Sequence, residues 1–432
     1  MTILQLTEKL VFIMENKNSD SDEPKGIKLF LRAFKYRNYR LFFTGQGISL
    51  IGSWMQRIAM SWLVYRMTNS PFLLGLVGFT GQIPTLFLGL YAGVLADRLN
   101  RIRIIKLMQF LSMLQALAIA ILVLTNTIAV WHIILLSIFA GIFTAFNQPA
   151  QQAFVVEMVE DKKDIGNAIA LNSFMFNSAR LIGPSVAGIL IAVVGEGICF
   201  LLNAISYIAV LIALFAMKVK LKQKIASTKR VWEEVKDGAA YAFGFAPIRN
   251  LLLLLSLVSL VGMPYTVLMP IFAKNILGGG PHTLGFLMAG VGCGAIGGAV
   301  FLASRKNAQG LEKIIPIAST IFGVGLITFS LSRMFLLSFI LIAISGFGMM
   351  VQNVSSNTLI QTIVDDDKRG RVMSFHSMAF MGIAPFGSLL AGSLASRIGA
   401  PNTLIIGGIA CLLGAIAFAS QLPKMRSRLS QT

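Results

Sequence analysis

The stretch "FLLGLVGFTGQIPTLFLGLYAGVLADRLNRIRIIKLMQFLSMLQALAIAILVLT", residues 72–125, decides the fold. Its two apolar runs, 72–95 and 103–125, each reach the roughly 20 residues that a helix needs to cross a bilayer. A short loop carrying Arg98, Arg101 and Arg103 joins them. The pair reads as a helical hairpin through a membrane.

Outward from this hairpin the pattern repeats. Apolar segments recur at 41–66, 130–155, 168–194 and 198–217, and six more follow near 250–274, 283–303, 313–331, 335–363, 372–396 and 402–421. The expected fold is an all-α polytopic membrane protein, with twelve transmembrane helices in two pseudo-symmetric six-helix bundles. The expected organisation is a tail over 1–38, a first bundle over 39–217, a connector over 218–248, a second bundle over 249–421 and a tail over 422–432. The first tail holds the polar run "ENKNSDSDEP" (15–24) and no signal-peptide pattern. The connector carries Lys218, Lys220, Lys222, Lys224, Lys229, Arg230 and Lys236, with a short amphipathic helix expected through Trp232 and Tyr241.

Composition agrees with these spans. Hydrophobic residues make up 56% of the 432 and the mean hydropathy is +0.76, which suits about a dozen crossings and excludes an ordinary soluble enzyme. A net charge of +19 would suggest a nucleic-acid partner in a polar chain. Here the basic residues lie between apolar runs, and lipid topology accounts for them. Of 37 Lys and Arg, 31 fall on the side of the N-terminus; Arg66, Lys274, Arg333 and Arg397 fall on the other. Basic residues resist translocation, so both termini are expected to be cytoplasmic, in a bacterial inner membrane. Cys199, Cys293 and Cys411 are far apart, in apolar stretches, and make neither a disulfide framework nor a metal site.

The halves repeat each other weakly. "SPFLLG" at 70–75 and "GPHTLG" at 280–285 share Pro, Leu and Gly, and Gly52 pairs with Gly262 at the same offset of 210. Gly183, Gly188 and Gly195 recur as Gly387, Gly392 and Gly399 at an offset of 204. Such repeats are how many secondary transporters build a site between two rocking halves.

The loop "GVLADRLNRIR", Gly93 to Arg103, resembles the signature of the major facilitator superfamily. Gly93, Asp97, Arg98 and Arg101 fit it, while Asn100 stands where Gly is usual and Ile102 where a basic residue is. "ARLIGPSVAG", Ala179 to Gly188, resembles the Gly-Pro element of that superfamily's exporters through Gly183, Pro184 and Gly188. "LRAFKYRNYRLFFTGQ" (31–46), "GVLADR" and "NSARLIGP" together resemble its enterobactin-exporter-like branch. The resemblance implies alternating access by two rocking bundles, with Asp97 and Arg101 latching their cytoplasmic ends against the start of the eleventh span, after "DDDKRGR" (365–371). It also implies that proton exchange drives export. No ATP-binding motif is present.

Ionised side chains in mid-span cost roughly 2.5–3.5 kcal/mol on insertion scales and are usually functional. Arg57 and Arg180 qualify. Gln46, Ser49, Ser53, Gln56 and Arg57 share one arc of the first span, and Ser173, Asn177 and Arg180 share one of the fifth. With Asn147, Gln148 and Gln151 on the fourth span and Gln352, Asn353, Ser356 and Asn357 on the tenth, they are the candidate substrate cavity. Arg57 pairing with backbone carbonyls, Arg180 steadying the kink at Pro184, and amides bridging helices are the structural alternatives. No carboxylate falls in mid-span, which disfavours cationic cargo. Glu157 is the candidate proton carrier, or else a solvated helix-end charge beside Lys162 and Lys163. His132, His282 and His376 lie near span ends, in no ligand spacing.

The expected function is export of a small polar or anionic molecule, siderophore-like or drug-like, by a monomer that uses no cofactor or metal. A lysophospholipid flippase on the same scaffold is the alternative. A membrane enzyme would need clustered His, Asp, Ser or Cys near one face, and none is seen.

Overall fold

The turn "TNSP" at 68–71 shows how local chemistry sets the helix boundaries. Asn69 takes a left-handed conformation (φ 46°), closing the first helix with its amide on the Tyr65 carbonyl. Ser70 then caps the second by accepting from the Leu73 amide at 3.3 Å, and Pro71 fills the first helical position, where no amide is needed.

A computed structural model describes residues 32–218, 239–305, 309–365 and 368–429; the side chains of Leu90, Asp97, Lys162 and residues 424–429 lie outside the description. The expected tail before residue 32, and the connector helix at Trp232, therefore fall outside the described residues. Twelve long helices follow one another among them: α1 (Arg37–Thr68), α2 (Pro71–Arg98), α3 (Arg101–Leu124), α4 (Val130–Glu157), α5 (Ile165–Val194), α6 (Glu196–Ala216), α7 (Ala246–Ile276), α8 (Pro281–Ala303), α9 (Leu311–Leu331), α10 (Phe335–Ile363), α11 (Arg369–Ile398) and α12 (Ala400–Leu429). Eleven are long and apolar enough to cross a membrane; α1 falls short because its amides and Arg37, Arg40, Arg57 and Arg66 dilute its apolar residues. Helices such as α1 and α11 overrun the apolar runs by several residues.

The repeats in the sequence are structural. Gly195 and Gly399, 204 residues apart, end α5 and α11 in nearly the same backbone conformation, φ 82° and 84°. Only glycine takes it without strain. Gly183 packs α5 on α1, where an added Cβ would fall 2.5 Å from the Trp54 Cβ; Gly387 packs α11 on α7 against Leu260 and Pro264. Gly52 makes room for Asn203 and Ser206 of α6, as Gly262 does for Phe322 of α9 and Cys411 of α12.

The halves meet through the same glycines. Gly75 of α2 lies on Gly392 of α11, and Gly188 of α5 on Gly285 of α8, each so close that an added Cβ would come within 2.9 Å of the facing Cα. Small residues let backbones approach in this way. Both contacts lie near the end of the bundle away from the chain termini. On that side Lys274 Nζ also donates to Asn69 Oδ1 at 2.8 Å, and Asn275 Nδ2 to the Tyr65 hydroxyl at 2.7 Å. The α7 and α11 helices are each interrupted by a π-helical segment, Val258–Gly262 and Met378–Gly382; a second π segment, Phe272–Ile276, ends α7.

Candidate substrate-binding site

Trp54 and Arg57 sit three residues apart on α1, a spacing that puts them on one face. On α5, Phe176 and Arg180 are four apart and face them. Because Gly183 has no side chain, α5 can lie directly against Trp54. The Arg57 guanidinium carbon is then 4.7 Å from the Trp54 ring centroid and that of Arg180 is 5.9 Å, while Phe176 meets the same ring edge-on at 6.0 Å. Arg57 is exposed although it lies in mid-helix, as expected for the wall of an open cavity. Its titratable neighbours are Arg180 and Tyr207 of α6, and Tyr207 shares a 3.3 Å hydrogen bond with Ser53. Two cations thus lie against one aromatic ring. Among the described residues, every carboxylate lies at a helix end or in a loop.

The second half closes on this cluster through Tyr265 of α7. It is fully buried, packs edge-on against Phe322 at 6.0 Å, and sets its hydroxyl beside Arg180 without a well-formed hydrogen bond.

The other candidates separate into groups. Gln46 and Ser49 are buried within the first half. Gln46 Oε1 accepts from Gln109 Nε2 at 3.3 Å and from Gln151 Nε2 at 3.0 Å, tying α1 to α3 and α4. Gln56 accepts from Asn203 Nδ2 at 2.6 Å and donates to Gln115 Oε1 at 3.0 Å. Asn147 and Gln148 are half-buried, and Asn147 Oδ1 has no partner. Ser173 and Asn177 bond to carbonyls of their own helix, at Ile169 and Ser173. On α10, Gln352 and Ser356 are buried and Asn353 half-buried, with unpartnered polar atoms on all three; Asn357 accepts from Gln361 at 2.5 Å.

At the other end of the first half, Gly93 has open space around it and Arg98 is exposed. The side chain of Asp97 falls outside the described residues. Within the first half, Arg101 Nη1 lies 2.5 Å from Glu157 Oε1, and its Nε donates to the Ala96 carbonyl at 2.9 Å. Glu157 ends α4 directly opposite the start of α3, so this carboxylate is within the guanidinium's reach. Pro184 and Gly188 face α8, where the Pro184 carbonyl would lie 2.5 Å from a Cβ on Gly285.

Sequence reading passed over Trp54, Tyr207 and Tyr265 as binding residues. The one usable signal was the three-residue spacing from Trp54 to Arg57; the approach of α6 and α7 is tertiary.

A family model described as transmembrane secretion effector matches residues 31–432. The chain is similar to the staphyloferrin A transporter of Staphylococcus aureus, 26% identical over 91% of this chain and 98% of that one. It is also similar to the enterobactin exporter of Shigella boydii, 24% identical over 91% and 94%. A bacterial homologue of the human lysosomal transporter Spinster shares the fold, with a TM-score of 0.70 at 14% identity over 91% of this chain and 98% of that one.

Proposed function

Because the chain belongs to the transmembrane secretion effector family of the major facilitator superfamily, we propose that it exports a small anionic, oxygen-rich molecule of the siderophore class from the cytoplasm. One observation carries the reading: Arg57 and Arg180 converge on one tryptophan, with no carboxylate among the described residues beside them. Two guanidiniums so placed repel each other until an anion arrives, and a guanidinium binds carboxylate or catecholate oxygens through two parallel hydrogen bonds.

The basic side of the bundle is cytoplasmic in this reading, and the protein acts as a monomer in the bacterial cytoplasmic membrane. The glycine contacts then close the outer face while the site stays open to the cytoplasm. Cargo would enter between the halves, bridge Arg57 and Arg180, and draw the Arg180 side chain away from Tyr265. Rocking about the midplane would open the outer face, with protons moving inward in exchange.

The test is accumulation by inside-out vesicles with an acidic lumen. A polycarboxylate siderophore is expected to accumulate and its neutral methyl ester is not. Accumulation of the ester alone, or of cationic compounds alone, would overturn the reading.

A further inference from the structure

The outer surface of the first half carries cations that the proposed cargo site does not use. The exposed residues of α3 are Arg103, Leu107, Phe110, Leu114, Ile121 and Leu124. Their helical spacing makes one outward stripe. Beside it α6 presents a second stripe, Ile205, Ile208, Ile212 and Phe215, and the two helices pack together. Both stripes are apolar, as a surface in contact with acyl chains must be, up to the end where α3 begins and α6 stops.

At that end both turn cationic. Arg103 heads the α3 stripe, and Lys106 lies one turn further along the helix. The Lys106 ammonium reaches across to α6, 4.1 Å from the centroid of the Phe215 ring, which is otherwise 69% exposed. Lys218 follows Phe215 by three residues, so its backbone lies within about 11 Å of that of Phe215. Asn38 of α1 fixes Lys218 there: its Nδ2 donates to the Lys218 carbonyl at 2.9 Å, and its Oδ1 accepts from the Lys218 amide at 3.3 Å. Among the described residues no carboxylate pairs with Arg103, Lys106 or Lys218; Glu157 is engaged by Arg101, and Asp164 by Arg32 and Lys35. The first turn of α9, the counterpart of α3 in the second half, sets Glu312 next to its Lys313. Topology alone scatters basic residues along this side of the molecule. It does not gather three of them, unneutralised, around one exposed ring.

We infer that the seam between α3 and α6, at this end, binds the headgroup of an anionic phospholipid. Arg103 offers two parallel N–H donors to the phosphate oxygens, and the Lys106 and Lys218 ammoniums add point charges. Lys106 is five residues into α3, about 7 Å along its axis, where its stem lies on apolar surface and its head meets the phosphate. The Phe215 ring holds the ammonium at that depth. Acyl chains then run down the stripes, over Leu107 and Phe110 on one side and Ile212 on the other. Each cation near the membrane surface favours an anionic lipid by roughly fivefold, so three give roughly 100-fold over a zwitterionic lipid, whose headgroup brings its own cation. Because Lys218 is tied to Asn38, the bound lipid bridges α1, α3 and α6, and its binding is independent of the cargo.

The test uses the full-length protein in phosphatidylcholine nanodiscs doped with photoactivatable phosphatidylglycerol or, in parallel, photoactivatable phosphatidylcholine, with cross-links mapped by mass spectrometry. Phosphatidylglycerol is expected to label residues 103–110 and 212–218 at least tenfold more than phosphatidylcholine does. Arg103→Gln combined with Lys106→Gln is expected to remove that excess. Equal labelling by the two lipids in wild type would overturn the inference, as would an undiminished excess in the double variant. Should the double variant not fold, Lys218→Gln and Phe215→Leu are each expected to reduce the excess at least threefold, and no reduction in either would count against the inference. Millimolar inorganic phosphate is expected to leave the labelling intact; its loss would mark a site for free anions and contradict the lipid assignment.

Discussion

Arg57 and Arg180, on separate helices, hold their guanidinium carbons 4.7 and 5.9 Å from the centroid of the same ring, Trp54. The ring attracts both cations and partly offsets their mutual repulsion. Cation–π attraction is worth about 0.5–2 kcal/mol per contact. Trp54→Ala is expected to weaken anion binding by about 3- to 30-fold, and Trp54→Phe to restore most of it. Equal affinities for the two variants by calorimetry would contradict the shared-ring arrangement.

Closure at the far face depends on glycines without side chains. Gly188→Ala places a Cβ 2.9 Å from the Gly285 Cα, and Gly75→Ala places one 2.9 Å from that of Gly392. Overpacking of this kind costs about 1–3 kcal/mol, or about 5- to 150-fold in population. Both variants are expected to open the far face, seen as faster labelling of a cysteine at Asn69 by an impermeant maleimide.

Arg101 and Glu157 are proposed to brace α3 against α4, not to carry protons. Glu157→Gln is expected to lower thermal stability and leave the pH dependence of transport unchanged. A pH profile shifted by this variant would return Glu157 to the proton path.

Near the entry to α1, Asp164 accepts from the Tyr36 hydroxyl at 2.8 Å and lies 2.5 Å from Lys35 Nζ and 2.8 Å from Arg32. The hydrogen bond from Lys35 is the chief cause that holds this carboxyl below its usual 3.8, with Tyr36 adding to it and burial opposing it. The folded value is depressed, so the stabilisation is fully present above about pH 3.8 and is lost as pH falls through the folded value. Asp164→Asn should therefore melt below wild type at pH 7, with the gap narrowing as pH drops beneath 3.8. A constant gap in differential scanning fluorimetry would contradict this.

The twelve helices and the repeated glycines could be read in the sequence because each rests on apolar length or on a residue type with one backbone use, whereas the glycine contacts between the halves are tertiary. Gly195 and Gly399 show this best, since the repeat predicted a shared role and the backbone angles agree. The site was legible only in part. Gln46 and Arg57 lie on one arc of α1, yet Gln46 is sealed among α3 and α4 and Arg57 is open, because the interior of a helical bundle accepts amides as readily as a cavity does. Periodicity gives the face of a helix, and the neighbour on that face is tertiary. The π segments left no sequence signal.

The most direct measurement compares binding of one polycarboxylate siderophore with that of its neutral ester in wild type, Arg57→Gln, Arg180→Gln and the double variant, by calorimetry on purified protein. The site described here predicts that each single change weakens the acid by about 10- to 100-fold, that the double change abolishes its preference over the ester, and that ester affinity is unaffected. Acid binding unchanged in a folded double variant would contradict it.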